Sequence, residues 1–295
     1  MLRTSVISFP GLGIGEFSVN SVAFTIFGMD IAWYAIIITC GMIAAVAYAT
    51  FMANKIGITT EDVLDFAIWT IPIGIIGARL YYVLCEIENY HTFLDVISIR
   101  EGGLAIYGGI IGGALAVLGV AHYKKINFLA FADCVMPGVI LAQAIGRWGN
   151  FMNGEAFGGV TDVFCRMGLK NVLTSGEMMY VHPTFFYESF WNIIGFVLAN
   201  LFIKYVHKKY DGQIFIMICG WYGFGRMFIE LLRTDSLYLG NTGIRISSLL
   251  GGIIFAVCLG FIIYFEIKKP SKPLYRKATA SSVASNKKEN KKGKK

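Results

Sequence analysis

Charge is what this chain has little of: 15% of its 295 residues are Asp, Glu, Lys or Arg, while 56% are apolar. Soluble domains carry about 25% charged residues, so a large water-facing domain is excluded. The six cysteines (Cys40, Cys85, Cys134, Cys165, Cys219 and Cys258) contain no CxxC pair and read as small core residues, not as a redox or zinc framework. Neither HExxH nor a paired-Asp motif occurs, and His91, His122, His182 and His207 form no metal-spaced pair, so a metal-free site is expected. Gly11, Gly13 and Gly15 do not complete a dinucleotide fingerprint, and no P-loop lysine motif occurs, so no nucleotide or other cofactor is expected. A lone Arg3 precedes them with no basic-then-apolar run, so no cleaved signal peptide is expected.

Long apolar runs are abundant. Seven can be marked: Ile31 to Ala53, Phe66 to Leu84, Leu104 to Ala121, Phe128 to Gly146, Thr184 to Ile203, Gln213 to Leu232 and Ser247 to Phe265. Each approaches the roughly 20 residues that a helix needs to cross a bilayer. The alternating polarity of a membrane barrel is absent. The expected fold is therefore all-α and polytopic, with residues 1–267 embedded, an outer segment at about 150–183, and a separate tail at 268–295.

The net charge of +7 invites a nucleic-acid partner until it is located. The tail holds ten Lys, Arg276 and only Glu289, so the rest of the chain is net negative. Such a Lys/Ser/Asn-rich end is expected to be disordered and solvated, with an anionic membrane surface as the partner of its charge. No nucleic-acid partner is implied.

Seven spans put the two ends on opposite sides, and the Lys/Arg bias orients them. Lys55, Lys124, Lys125, Lys204, Lys208, Lys209 and the eleven tail cations fall on one side. Arg3, Arg79, Arg100, Arg147, Arg166, Lys170, Arg226, Arg233 and Arg245 fall on the other. The C-terminus is therefore expected in the cytoplasm and the N-terminus outside. The outer set is nearly all Arg, whose planar fork of donors matches phosphate and carboxylate. Two readings stand: a site for an anion, or Arg–carboxylate pairs tying helix ends together.

Ionisable residues inside spans are expensive and are functional candidates by default. Here they are Arg79, Asp133, Glu188, Arg226 and Glu230, all but Asp133 falling toward the outer ends of their spans. Tyr34, Tyr107, Gln143, Arg147, Asn150, His182 and Tyr187 fall in the same layer, at the depth of lipid headgroups. Gln143, Arg147 and Asn150 share one helix face by spacing, as do Arg226, Glu230 and Arg233. These faces with Arg79 predict a pocket of excess positive charge. Glycines from Gly149 to Gly154 suggest a backbone anion nest, weakly, because such turns usually only turn. Those from Gly102 to Gly113 suggest close helix packing. A transporter would be expected to place its charges near the midplane on repeated, broken helices; no repeat is evident and the charges cluster at one end. A phospholipid-binding assembly protein without chemistry is the other rival.

Five blocks in order carry a resemblance. Gly146-Arg-Trp-Gly-Asn-Phe-Met-Asn-Gly-Glu155 with Gly158 is similar to the signature of the bacterial phosphatidylglycerol–prolipoprotein diacylglyceryl transferases. Gly77 to Arg79, Glu101 to Gly109, His182-Pro183 with Tyr187-Glu188, and Gly225-Arg226 through Glu230 to Arg233 support it over residues 25–265. The resemblance implies a plasma-membrane enzyme that moves the diacylglyceryl group of phosphatidylglycerol onto the lipobox cysteine of a prolipoprotein, releasing glycerol 1-phosphate toward the outer leaflet. It implies that Arg147 binds the lipid phosphate, that Arg226 is essential, and that Tyr34, Asn150 and Gly158 match important positions. Arg79, Glu155, Glu230, Arg233 and His182 are the remaining expected substrate-binding residues, with Glu155 and Glu230 holding the arginines. At Tyr107 better-known relatives carry a histidine proposed as base; tyrosine, with a pKa near 10, is a poor base at neutral pH. Tyr107 is therefore expected to donate a hydrogen bond at most, and the base is left unassigned.

Overall fold

The computed structural model describes residues 4–90, 92–98, 102–206, 208–240, 242–268 and 274–277. Arg3, His91, Arg100, Glu101, His207 and most of the basic tail lie outside the described residues. Four strands lead the chain, β1 (Thr4–Phe9), β2 (Ile14–Asn20), β3 (Val22–Ile26) and β4 (Met29–Ala32). Then come α1 (Trp33–Asn54), α2 (Thr60–Cys85), the short α3 (Phe93–Ile97), α4 (Ile106–Tyr123) and α5 (Phe128–Asn153). Strands β5 (Met167–Lys170) and β6 (Met179–Val181) precede α6 (Thr184–Tyr205), α7 (Gln213–Ile229) and α8 (Ile246–Lys268). Among the described residues, seven helices are long and apolar enough to cross a membrane, the sixth continuing through a 3-10 turn to Leu232. The protein is a mostly helical, multi-pass membrane protein.

Two boundaries move outward from the apolar runs by more than a helical turn, each for a local reason. Helix α2 begins at Thr60, before Phe66, because Thr59 and Asp62 form a reciprocal capping box: the Thr59 hydroxyl takes the Asp62 amide at 3.2 Å and the Asp62 carboxylate takes the Thr59 amide at 3.0 Å. Helix α5 runs past Gly146 to Asn153 and ends where Gly154 adopts φ +63°. There the Glu155 amide reaches Asn150 O at 3.1 Å and the Gly154 amide reaches Phe151 O at 3.0 Å, the paired bonds of a Schellman end. The expected anion nest at Gly149–Gly154 is thus corrected, because amides inside a helix are already bonded to its carbonyls.

The expectation of an all-α chain holds for the spans and misses six short strands. β2, β1, β5 and β6 form one antiparallel sheet in that order, and β3 pairs with β4. Ile7, Leu169 and Val181 pack beneath the four-stranded sheet with Phe185 of α6. The β1–β5 pairing joins Ile7 to Leu169 across most of the chain, a contact that no local pattern announces.

The chain divides into two compact units, residues 1–48 with 135–272 and residues 49–134 with 273–295. In the second, α2 and α4 lie back to back on glycine. A Cβ at Gly77 would stand 3.1 Å from Gly112 Cα, and one at Gly112 would stand 3.3 Å from Gly77 Cα. Missing side chains let the two backbones meet, as in other membrane helix pairs. The tail is not wholly free: Lys277 donates its amide to Ile56 O at 2.9 Å and its ammonium to Asp62 at 2.5 Å. Lys124 reaches the same Asp62 at 3.1 Å and also pairs with Asp65. Helix α8 includes Lys268, so the disorder expected from that residue onward does not apply to the helix end or to 274–277.

Candidate active site

The site lies in the first unit, where α5, α6 and α7 are fixed at one end. Ser189 of α6 donates to Ala144 O of α5 at 2.9 Å and accepts the Trp148 indole at 3.2 Å. Trp191 of α6 and Trp221 of α7 stack with centroids 4.0 Å apart, and each indole N–H donates to the other's carbonyl at 3.0 Å. Gly225 makes this possible, because a Cβ there would lie 2.8 Å from Trp191 Cε2. These pins put Arg147, Glu188 and Arg226 side by side.

Glu188 is the hub. It is 4% exposed, and its carboxylate accepts Arg226 Nη1 at 2.8 Å and Arg233 Nη1 at 3.4 Å while its other oxygen pairs with Arg147. Arg226 also pairs with Glu230 one turn away, and Arg233 is held in a fork by Asp235 at 2.9 and 2.7 Å. Burial disfavours the Arg233 charge, but Asp235 with Glu188 and Glu230 outweighs it and raises the guanidinium pKa above its ordinary value. Burial likewise opposes the Asp235 charge, and the Arg233 bond prevails, holding its carboxyl below the usual range. The expected excess of positive charge is therefore corrected: Glu188, Glu230 and Asp235 match three arginines. Glu230 holds Arg226 as expected. Glu155 accepts Asn150 at 3.2 Å and Asn153 at 2.9 Å, and Asn150 accepts Arg147 at 3.3 Å. Glu155 thus touches the arginines only through Asn150.

Gly158 stitches the site together. Its amide donates to His182 O at 2.9 Å, the Gly159 amide donates to Leu232 O at 2.8 Å, and Gly158 bridges to Arg233. A Cβ at 158 would stand 2.7 Å from His182 Cβ and 2.8 Å from Leu232 O, so only glycine fits. The Tyr34 ring of α1 packs against Gly149, where a Cβ would come within 2.7 Å of it. The His182 imidazole faces the Tyr187 hydroxyl at 3.3 Å, and Cys165 Sγ approaches the same hydroxyl at 3.3 Å.

Arg79 and Tyr107 belong to the second unit. Tyr107 is half-buried in the first turn of α4. Arg79 is buried and spends its guanidinium on four backbone carbonyls: Val96 at 2.8 Å, Gly102 at 2.7 Å, Gly103 at 3.0 Å and Asp95 at 2.6 Å. This geometry gives Arg79 a different task from the lipid binding expected of it, namely fastening the stretch before α4 onto α2. Among the described residues no three His, Cys, Asp or Glu side chains are grouped to hold a metal. In the sequence Glu188 stands out as an ionisable residue in a span and as part of the Tyr187-Glu188 block that carries the resemblance. Its signal was there, an acid in the layer that holds the arginines, but which acid they would choose was not.

The structure therefore sets an arginine–carboxylate cluster at one end of the helices of a multi-pass membrane protein. The chain matches the family model of prolipoprotein diacylglyceryl transferase over residues 21–264. It is 44% identical to phosphatidylglycerol–prolipoprotein diacylglyceryl transferase 1 of Clostridium perfringens over 87% of this chain and 99% of that one. It is 46% identical to the Clostridioides difficile enzyme of that name (81% and 95% covered) and 43% identical to the Enterococcus faecalis one (83% and 90%). The chain belongs to the prolipoprotein diacylglyceryl transferase family and is a transferase.

Proposed function

We propose how this chain's residues carry out transfer of a diacylglyceryl group from phosphatidylglycerol to a prolipoprotein. The acceptor is the thiol of a lipobox cysteine. Its sulfur bonds to the glyceryl carbon as the carbon–oxygen bond to phosphate breaks, which yields a thioether and glycerol 1-phosphate. The thiol's proton leaves with the base, and the phosphate departs with one more negative charge than it had in the diester. The enzyme must therefore hold an anionic headgroup and stabilise charge growing on it.

The observation that carries this reading is the convergence of Arg147, Arg226 and Arg233 on the buried Glu188. Arg147 and Arg226 turn from Glu188 toward the phosphate and stabilise the leaving oxygen. Glu188, Glu230 and Asp235 hold the guanidinium groups in place between turnovers. Asn150 sets the Arg147 fork, Tyr34 and Gly158 shape the wall, and Tyr107 donates a hydrogen bond to phosphate or thiol. The site faces the outer leaflet of a bacterial plasma membrane, with the N-terminus outside and the C-terminus in the cytoplasm. Supporting that orientation, Glu188 and Lys204 stand sixteen positions apart on α6, about 24 Å along its axis, so the arginine cluster and Lys204 occupy opposite ends of that helix. Charges at a helix end suit a headgroup better than a transport path through the midplane.

The test uses the full chain in micelles holding phosphatidylglycerol and a lipobox peptide, with product read by mass spectrometry. Arg147→Lys keeps the charge and loses the fork; turnover is expected to fall about 10²-fold, in the range for losing one donor to a developing oxyanion. Undiminished turnover would reject forked recognition.

A further inference from the structure

Beside the arginine cluster runs a hydrogen-bonded chain from a thiol to an imidazole. Cys165 Sγ, the Tyr187 hydroxyl and His182 Nδ1 are linked at 3.3 Å and 3.3 Å, and all three residues are half-buried. With Nδ1 unprotonated, the Tyr187 O–H donates to it and the thiol S–H donates to Tyr187. The chain is tied to the cluster through the backbone. Tyr187 and Glu188 are neighbours on α6. Through the backbone, His182 bonds Gly158 and Gly159, which bond Leu232 and bridge to Arg233. Two such ladder steps span about 10 Å.

We propose that Tyr187 and His182 form the path that takes the proton from the substrate thiol, and that Cys165 marks where that thiol docks. This rests on the transferase reading above. The lipobox thiol takes the place of Cys165 against Tyr187. As its sulfur attacks the glyceryl carbon, its proton passes to the Tyr187 oxygen while the Tyr187 proton passes to His182 Nδ1. The phosphate leaves as a dianion beside an imidazolium, which returns the proton to it or to water. Charge is balanced throughout, and no tyrosinate accumulates. Tyr187 touches the reacting atom and is the catalytic residue; His182 acts through it. Burial lowers the His182 pKa from its ordinary value, so the ring is an empty acceptor at neutral pH. Its titratable contacts are Tyr187 on α6 and, one step further, Cys165 in the 158–166 stretch.

The experiment compares Cys165→Ala, Tyr187→Phe and His182→Gln in the micelle assay across pH 5 to 8, with thermal melts to show that each is folded. Tyr187→Phe and His182→Gln are expected to lose roughly 10²-fold or more in kcat, the usual share of a general base, with KM for phosphatidylglycerol changed less than about twofold. The wild-type rate falls toward acid as the imidazole protonates, and His182→Gln loses that limb. Cys165→Ala, which vacates the place that the substrate thiol takes, is expected to shift KM for the lipobox peptide and to leave the acid limb in place. A folded His182→Gln that retains kcat and the acid limb overturns the proposal, as does a Cys165→Ala as impaired as Tyr187→Phe. Binding to phosphatidylglycerol vesicles against phosphatidylcholine vesicles separates the two claims. Headgroup preference with an unaffected His182→Gln sinks the proton path alone, whereas no preference in the wild type sinks the arginine reading itself.

Discussion

Glu188 shows what one acid does among three bases. Removing one partner from a buried ion pair is far worse than replacing the pair, typically about 3 to 5 kcal/mol, because the remaining charges stay buried without compensation. Glu188→Gln is therefore expected to leave Arg147 and Arg226 splayed. Melting in detergent should drop by several degrees, and transfer should fall much more than in Glu155→Gln, whose carboxylate meets amides and not guanidinium groups. Equal losses in the two variants would remove Glu188 from the centre. His182 gives a pH dependence whose sign follows from burial. Its folded pKa lies below the unfolded value near 6.5, so the unfolded chain takes up a proton first as pH falls. Stability tied to this residue is complete above about pH 6.5 and declines below it until the folded value is passed. A melting series from pH 8 to 5 should show that decline in the wild type and a smaller one in His182→Gln.

Among elements, the long helices were legible because hydrophobic length is a local property, and every marked run became a span. Their ends were not, since the Thr59–Asp62 capping box and the Gly154 and Glu155 amides that close α5 act through pairs of hydrogen bonds that hydropathy does not register. The four-stranded sheet was invisible for the opposite reason: β1 meets its partner β5 only after four spans have folded between them. The same logic sorts the site. Arg147, Asn150, Arg226 and Glu230 could be paired on helix faces, while the choice of Glu188 over Glu155 and the assignment of Arg79 to carbonyls depend on tertiary placement. Gly158→Ala should cost about 1 to 3 kcal/mol by overpacking against Leu232 and His182. It should also depress transfer, because it pries the 158–159 stitch from Arg233. Arg79→Lys, losing most of its carbonyl bonds, should speed hydrogen exchange in residues 95–98 and 102–103 while leaving KM for phosphatidylglycerol near its wild-type value. A selective rise in that KM would return Arg79 to the lipid.

For the molecule as a whole, sidedness is the property that the sequence argued and that a direct measurement can decide. Single cysteines placed at Asn153 and at Lys208 of an otherwise cysteine-free chain should react from opposite faces of intact cells with an impermeant maleimide. Asn153 is expected to label from outside, and the reverse pattern would turn the enzyme over. The resting charge balance of the cluster has a consequence for the catalytic cycle. An empty vestibule lined by bare guanidinium groups would trap any passing sulfate or nucleotide and would cling to the doubly charged product it had just made. On the proposed reading, with Glu188 as a built-in surrogate ligand, the incoming lipid would exchange one anion for another, and the tethered carboxylate would return to evict the glycerol phosphate. Grip on the headgroup would thereby be moderated in favour of release, and the site would reset itself without help from outside.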